Sequence, residues 1–273
     1  GEIVGIIGRN GIGKSTSVGI LSNTLKPNLG NYESQATEEA IYKKYAKTMY
    51  AEYFKQLYGN KLKVAYKPQR IEMLPQLHQG KVIELLHSID KSDKVERFLK
   101  ELDAAQLKQR TLAELSGGEL QKIAIIATLL KKADVYYFDE PSSFLDIMAR
   151  IKMAKLVRSL KESGAAVMVV EHDLATLDYI SDEIQIVYGE PAAYGVFSQS
   201  KGVRRGINDY LDGYLAEDNV RFRSYPIVFH KPPPKVGDAK RIVCSFPDLE
   251  KSYETFHLKV HAGELKAGEV LTI

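Results

Sequence analysis

Apolar positions along the chain fall into two rhythms. "EIVGII" near the start is an apolar run too short for a helix, and the glycine-rich stretch after it gives way to "KSTSVGILSNTL". That spacing predicts a strand, a loop and a helix stopped by Pro27 and Gly30. Between about Glu38 and Leu57, Tyr42, Tyr45, Met49, Tyr53, Phe54 and Leu57 recur at steps of three and four, with Lys43, Lys44 and Lys47 between them. The pattern predicts one amphipathic helix with an aromatic stripe in the core and lysines in water. A second helical region is expected over about Lys81 to Lys108, leading into "LSGGELQKIAIIATLLKK", which has helical spacing after its glycines. "DVYYFDE" reads as a strand ending in two carboxylates, "DIMARIKMAKLVRSLKES" as a helix stopped by Gly164, and "AAVMVVEH" as another buried strand. Strands alternating with helices predict parallel pairing through right-handed crossovers, hence an α/β fold with a mostly parallel sheet.

The rhythm fades after about Phe197. "SQSKGVRRGINDYLDGYLAEDNVRFRSYP" has little periodicity and several glycines, and "KPPPK" at Lys231 to Lys235 cannot lie inside a helix, so this stretch reads as a connector. From Arg241 strand character returns through "RIVCSF", "SYETFHLKV" and "GEVLTI". The last six residues, Gly268 to Ile273, read almost like the first six, a weak repeat because any buried strand entered from a Gly-Glu turn has this pattern.

Composition narrows the picture only a little. At 273 residues and 44% hydrophobic content the chain is long enough for one large core or two modest ones. It has no apolar run of about eighteen residues or more and does not open on a signal-like segment, so no membrane crossing is expected of it. A net charge of +3 is too small to argue for nucleic acid, although a local basic patch could bind it. The single cysteine, Cys244, excludes an internal disulfide framework and any cysteine-built metal or iron–sulfur cluster, and is expected to be a small buried apolar residue.

The candidate chemistry is concentrated. "GRNGIGKS", Gly8 to Ser15, fits the phosphate-loop pattern and lies between a strand and a helix start. Its glycines let successive backbone amides turn inward around a triphosphate, and the helix N-terminus adds a partial positive charge. Asn10, Gly11, Ile12, Gly13, Lys14, Ser15 and Thr16 are therefore the candidate nucleotide contacts, with Lys14 reaching the β- and γ-phosphates and Ser15 a magnesium ion. Asp139, at the end of "VYYFD", can hold the magnesium shell, and Glu140 can orient or deprotonate an attacking water. "LSGGE" offers a second helix opening, at Ser116, Gly117, Gly118 and Glu119, with a hydroxyl and amides available to an anion.

A phosphate loop, an LSGGE and, about twenty residues later, a carboxylate strand resemble the ATP-binding-cassette family. The resemblance implies that the phosphate loop of one cassette and the LSGGE helix of another clamp the same ATP. It also implies roles for other residues. Gln69 in "YKPQR" resembles the glutamine joining magnesium and attacking water. "SSFLD", with Ser142, Ser143 and Asp146, resembles the loop that signals between sites, and His172 resembles the switch histidine at the γ-phosphate. Further stretches, "YKPQ", "EPSSFLD", "VVEHDLATLDYISD" and "GINDYLDGYLAEDNVRFR", together with the helical insert, are similar to the first cassette and hinge of the RNase L inhibitor family.

Those ATPases are cytoplasmic twin-cassette proteins that split and recycle ribosomes. The resemblance implies a cassette over 1–197, a hinge over 198–235 and the first strands of a second cassette over 236–273. Its implied partners are that second cassette, ribosomal subunits and a release-factor-like protein, with ATP and ADP as ligands. Arg204, Arg205, Arg221 and Arg223 could pair with ribosomal-RNA phosphates, and Arg221 or Arg223 could instead fasten the hinge to a cassette. The family's upstream strands, adenine-stacking aromatic and iron–sulfur cysteines do not appear in this sequence. Three other readings stand beside this one: the motor subunit of a membrane transporter, a chromosome-maintenance cassette ATPase, and a chain that binds nucleotide without turnover. About a hundred residues separate Ser15 from Leu115, which leaves no room for the long coiled coil of the chromosome-maintenance class.

Overall fold

The computed structural model describes residues 1–31, 33–90, 93–229, 241–253 and 256–269. A seven-stranded sheet dominates it. The strands are β1 (Ile3–Gly8), β2 (Val64–Lys67), β3 (Val135–Asp139), β4 (Ala166–Val170), β5 (Glu183–Glu190), β6 (Tyr194–Phe197) and β7 (Lys201–Gly202). Their order is β2-β3-β4-β1-β5-β6, with β7 also on β5. The first five strands in that order pair in parallel, and β6 and β7 run antiparallel to β5. The mostly parallel α/β core read from the sequence is therefore present. Its central strands are buried on both faces, as β3 shows from Tyr136 to Asp139, which explains why they read as continuous apolar runs.

Register decides where the chemistry lies. Lys67 stands opposite Phe138, Asp139 opposite Val170, and Ile6 opposite Val170. The carboxyl ends of β1, β2, β3 and β4 therefore share one edge of the sheet, the edge at which open parallel sheets bind ligands.

The helices are α1 (Lys14–Leu21), α2 (Glu38–Tyr45), α3 (Ala51–Tyr58), α4 (Leu74–Leu77), α5 (Val82–Ile89), α6 (Val95–Glu101), α7 (Gly117–Leu129), α8 (Ile147–Glu162), α9 (Leu174–Ile180) and α10 (Val203–Asp212). The main core lies where α5 to α8 meet the sheet, around the fully buried Leu86, Leu99, Ile125, Phe138, Met153 and Val157.

Four expectations change. The single helix over Glu38 to Leu57 is two helices, because Thr48 turns its hydroxyl onto the Tyr45 carbonyl (2.8 Å) and accepts from the Tyr50 amide (3.3 Å). This side-chain competition ends the first helix. Met49 then leaves the stripe and is 86% exposed, while Ile41, Phe54, Leu57 and Tyr58 form the packed face. The region over Lys81 to Lys108 likewise divides into α5, α6 and a short 3-10 turn, Ala105–Leu107; the Asp90 carboxylate accepts from the amides of Lys94 and Val95 and opens α6.

The stretch after Phe197 carries real structure. α10 lays Val203, Ile207 and Tyr210 on Leu177, Ile184 and Leu215, and a hairpin of β8 (Tyr214–Leu215) and β9 (Val220–Arg221) follows. The chain divides into two compact units, Gly1–Ile227 and Val228–Ile273, so α10 and its hairpin belong with the large sheet.

In the second unit, β10 (Ile242–Phe246) pairs with β13 (Gly263–Lys266), and β11 (Leu249–Ser252) with β12 (His257–Val260), all antiparallel. Cys244 is exposed, not buried as expected, because among the described residues no layer covers either face of its two-stranded sheet. The end of the "GEVLTI" strand, 270–273, and "KPPPK", 231–235, lie outside the described residues.

Candidate nucleotide-binding site

β1 delivers the chain to Gly8, and the loop turns into α1 through Gly13, whose φ of 95° is a left-handed conformation that side chains with a Cβ rarely adopt. Lys14 follows immediately. It is 6% exposed, and its Nζ donates to the carbonyls of Gly8 and Arg9, 2.8 Å each. Burial pulls its pKa down, while Glu140 and Asp139 pull it up. An ammonium group held under its own loop is not an ordinary solvated lysine.

Above it opens a cavity of about 370 Å³ lined by Asn10, Gly11, Gly13, Lys14, Ser15, Thr16, Gln69 and Glu140. Of the loop candidates only Ile12 does not line it: its side chain is buried with Ile6 and Val18, so it can contribute only backbone.

The opposite wall comes from Gln69, just after β2, and Glu140, just after β3; Asp139 and His172 do not line the cavity. Asp139 is fully buried, and among the described residues no group meets hydrogen-bond geometry with either carboxylate oxygen, although the hydroxyls of Ser15 and Tyr66 lie near enough to act on it. Burial pushes its carboxyl above the usual aspartate range, with the Ser15 hydroxyl pulling against it. Glu140 sits at φ 47°, an unusual backbone for a non-glycine residue. That conformation turns its carboxylate toward Gln69, whose Nε2 donates to Oε1 at 2.8 Å, and toward His172, whose Nε2 lies 3.3 Å from the same oxygen. Ser143 Oγ donates to Oε2 at 3.2 Å. His172 is half-buried; desolvation and the Lys14 charge lower its pKa against the opposing pull of Glu140, which favours the neutral imidazole.

Three buried residues escaped the sequence reading. Glu171 accepts from the amide (2.7 Å) and hydroxyl (2.8 Å) of Ser142 and from the His172 amide (3.2 Å), tying the loop after β3 to the loop after β4; burial pushes its carboxyl up. Lys67 and Gln121 both reach the backbone that carries Glu140. A charged residue ending an apolar strand was the visible signal for Glu171 and Lys67; none marks Gln121.

Ser116 caps α7 in a reciprocal box. Its amide donates to the Glu119 carboxylate (2.8 Å), its hydroxyl accepts from the Glu119 amide (3.4 Å), and Arg110 pairs with Glu119 at 3.0 Å. None of Ser116, Gly117, Gly118 and Glu119 lines the phosphate-loop cavity. Gly117 and Gly118 lie instead beside Phe144, which is 64% exposed, with Ile147 and Met148 also exposed. Asp146 caps α8 by accepting from the Ala149 amide at 2.9 Å.

The four connector arginines separate. Arg204 is exposed, and Arg205 pairs with Glu217 at 2.9 Å. Arg221 lies over the Tyr214 ring. Arg223 donates to the carbonyls of Tyr210, Leu211 and Tyr225 and stacks on the rings of Tyr210, Phe222 and Tyr225. It fastens α10 to the segment that follows the hairpin.

Over residues 1–143 the sequence matches the family described as "ABC transporter". The chain belongs to the ATP-binding-cassette family. This cassette is 44% identical, over 99% of its length, to an uncharacterized ABC transporter ATP-binding protein of Methanocaldococcus jannaschii, and covers 44% of that relative. It is 38% identical, over its whole length, to translation initiation factor RLI1 of Saccharomyces cerevisiae, covering 46% of it. The cassette therefore spans about half the length of the curated relatives it matches. Among solved structures it is similar to the archaeal ribosome recycling factor aABCE1, crystallised in complex with the archaeal ribosomal stalk protein aP1. There the TM-score is 0.86 at 46% identity, over 98% of this chain and 52% of that one. Family membership implies nucleotide binding, and among the described residues no helix is long and apolar enough to cross a membrane.

Proposed function

We propose that this chain is the first cassette and hinge of a twin-cassette ATPase that recycles ribosomes, and that it hydrolyses ATP in a site completed by a second cassette. One observation supports the reading: Gln69 and Glu140 line the phosphate-loop cavity, His172 meets Gln69 on the same Glu140 oxygen, and the Ser116 cap lines none of that cavity. The phosphate loop cradles one triphosphate, and the α7 opening is left for the nucleotide of the partner cassette. Likeness over nearly the whole chain to a ribosome recycling factor favours this reading over a transporter motor.

In this reading Lys14 and the loop amides bind the phosphates. Glu140 orients the attacking water and accepts its proton, and Gln69 and His172 hold Glu140 Oε1 in place by donating to it. The buried oxygens of Asp139, which among the described residues have no partner in hydrogen-bond geometry, would with Ser15 and Gln69 make an all-oxygen set suited to Mg²⁺, which would supply charge neutralisation of the phosphates when bound. In this reading 198–235 is the hinge, its first part packed on the cassette through α10, and 236–273 supplies first strands of the second cassette. ATP's preference for closed cassettes would drive closure, and hydrolysis would remove that preference.

The test uses the full-length protein. Lys14→Ala is expected to lose nucleotide binding, whereas Glu140→Gln keeps ATP bound and stalls hydrolysis while holding the protein on ribosomal subunits in sedimentation. Equal loss of binding in both variants would refute the role given to Glu140. Sedimentation with subunits that is indifferent to nucleotide would refute ribosome recycling.

A further inference from the structure

Among the described residues Lys67 is the largest fully buried polar side chain, 0% exposed at the end of β2. Among the described residues it makes no ion pair, although Asp139, Glu171 and Glu140 are near enough to act on its charge; its Nζ donates to two backbone carbonyls, Asp139 (2.9 Å) and Glu140 (3.2 Å). Gln121, also 0% exposed, comes from α7 on the other side, and its Nε2 donates to the carbonyls of Glu140 and Pro141, 2.9 Å each. The Glu140 amide in turn donates to the Val170 carbonyl at 2.9 Å. Two buried side chains thus converge on three successive carbonyls, and the residue at the centre of them is the one held at φ 47°.

A buried ammonium group carries a large desolvation cost, and the usual way to offset it is a carboxylate partner. Spending one on backbone carbonyls makes sense where that backbone must be held in a conformation it would not otherwise keep. A shift of Glu140 to the ordinary right-handed region would swing its carboxylate away from Gln69 and His172.

We infer that Lys67 and Gln121 are positioning residues for ATP hydrolysis, clamping the peptide units on either side of Glu140 so that its carboxylate faces the phosphate-loop cavity. The inference rests on the reading of Glu140 given above. Because Gln121 lies on the helix that Ser116 caps, the clamp also joins the α7 opening to the hydrolytic carboxylate of the same cassette.

The isosteric variants Lys67→Met and Gln121→Met, made in the full-length protein, keep the packing and remove the donors. Each is expected to lower kcat for ATP at least tenfold while KM, ATP affinity and melting temperature stay within twofold or a few degrees of wild type. In a Glu140→Gln background, whose slow residual hydrolysis is followed over long single-turnover incubations, neither variant should lower the rate further, since groups acting through one carboxylate are non-additive. A kcat unchanged in both variants overturns the inference. So does a loss of ATP affinity and melting temperature in step with kcat, or an equal further loss in the Glu140→Gln background. A Glu140→Gln protein that hydrolyses at the wild-type rate refutes the reading of Glu140 itself; a stalled Glu140→Gln beside a fully active Lys67→Met refutes the clamp alone.

Discussion

Gly117 and Gly118 are adjacent, occupy the first turn of the same helix and look equivalent in the sequence, yet the structure predicts opposite responses to alanine. A Cβ on Gly117 would lie 3.6 Å from the Phe144 ring, an ordinary contact. A Cβ on Gly118 would lie 2.8 Å from the Phe144 backbone oxygen, closer than real Cβ contacts come. That oxygen cannot swing aside as a side chain would. Phe144 itself is at φ 63°, the Leu145 amide is bonded to Ser142, and Asp146 caps α8 two residues on. Alanine gains at most about 1 kcal/mol over glycine in a helix and less in a first turn, so Gly117→Ala should be neutral or stabilising by about 0.5 kcal/mol. Gly118→Ala has the same gain but meets an overpacking cost of about 1–3 kcal/mol. The two variants should differ by about 2 kcal/mol, or roughly 4–8 °C in Tm for a unit of this size. Thermal unfolding followed by circular dichroism without nucleotide isolates this effect from any role at a partner's ATP. A Gly118→Ala protein melting at or above Gly117→Ala would refute the packing argument.

Asp146→Ala should cost about 1 kcal/mol through loss of the α8 cap, and Asp146→Ser should recover most of it. Hydrogen bonding to the Ala149 amide lowers the Asp146 pKa below its ordinary 3.8. Its contribution is therefore complete above that value and lost as pH falls through the folded one, so urea midpoints of wild type and Asp146→Ala should converge in acid. Arg223→Ala should destabilise α10 by about 2 kcal/mol by stripping charged hydrogen bonds from the Tyr210 and Leu211 carbonyls. Arg204→Ala, at an exposed site, should change stability by less than about 0.5 kcal/mol; amide exchange across 203–212 that responds equally to both would contradict this assignment.

Local chemistry accounts for what could be read in advance. The parallel core was legible because strands buried on both faces leave apolar runs, and the phosphate loop because its glycines and lysine serve one backbone turn that no distant residue supplies. The breaks inside 38–58 and 81–107 were not, since a Thr48 hydroxyl or an Asp90 carboxylate that ends or opens a helix leaves the apolar spacing nearly intact. α10 was missed because its glycines mask a short stripe that only the Leu177, Ile184 and Leu215 surface makes meaningful. Cys244 was misjudged because burial belongs to the layer above a strand, and none is described there.

The sequence alone determined that the glycine-rich loop with Lys14 sits between a strand and a helix, because that arrangement is carried by contiguous backbone. Tertiary structure alone decided that Gln69 and His172 meet on one oxygen of Glu140, that Lys67 and Gln121 grip the peptide beneath it, and that Ser116 faces elsewhere. Those residues lie on, or next to the ends of, different strands and helices, and only parallel register at a shared sheet edge, fixed by long-range burial, brings them together or holds them apart.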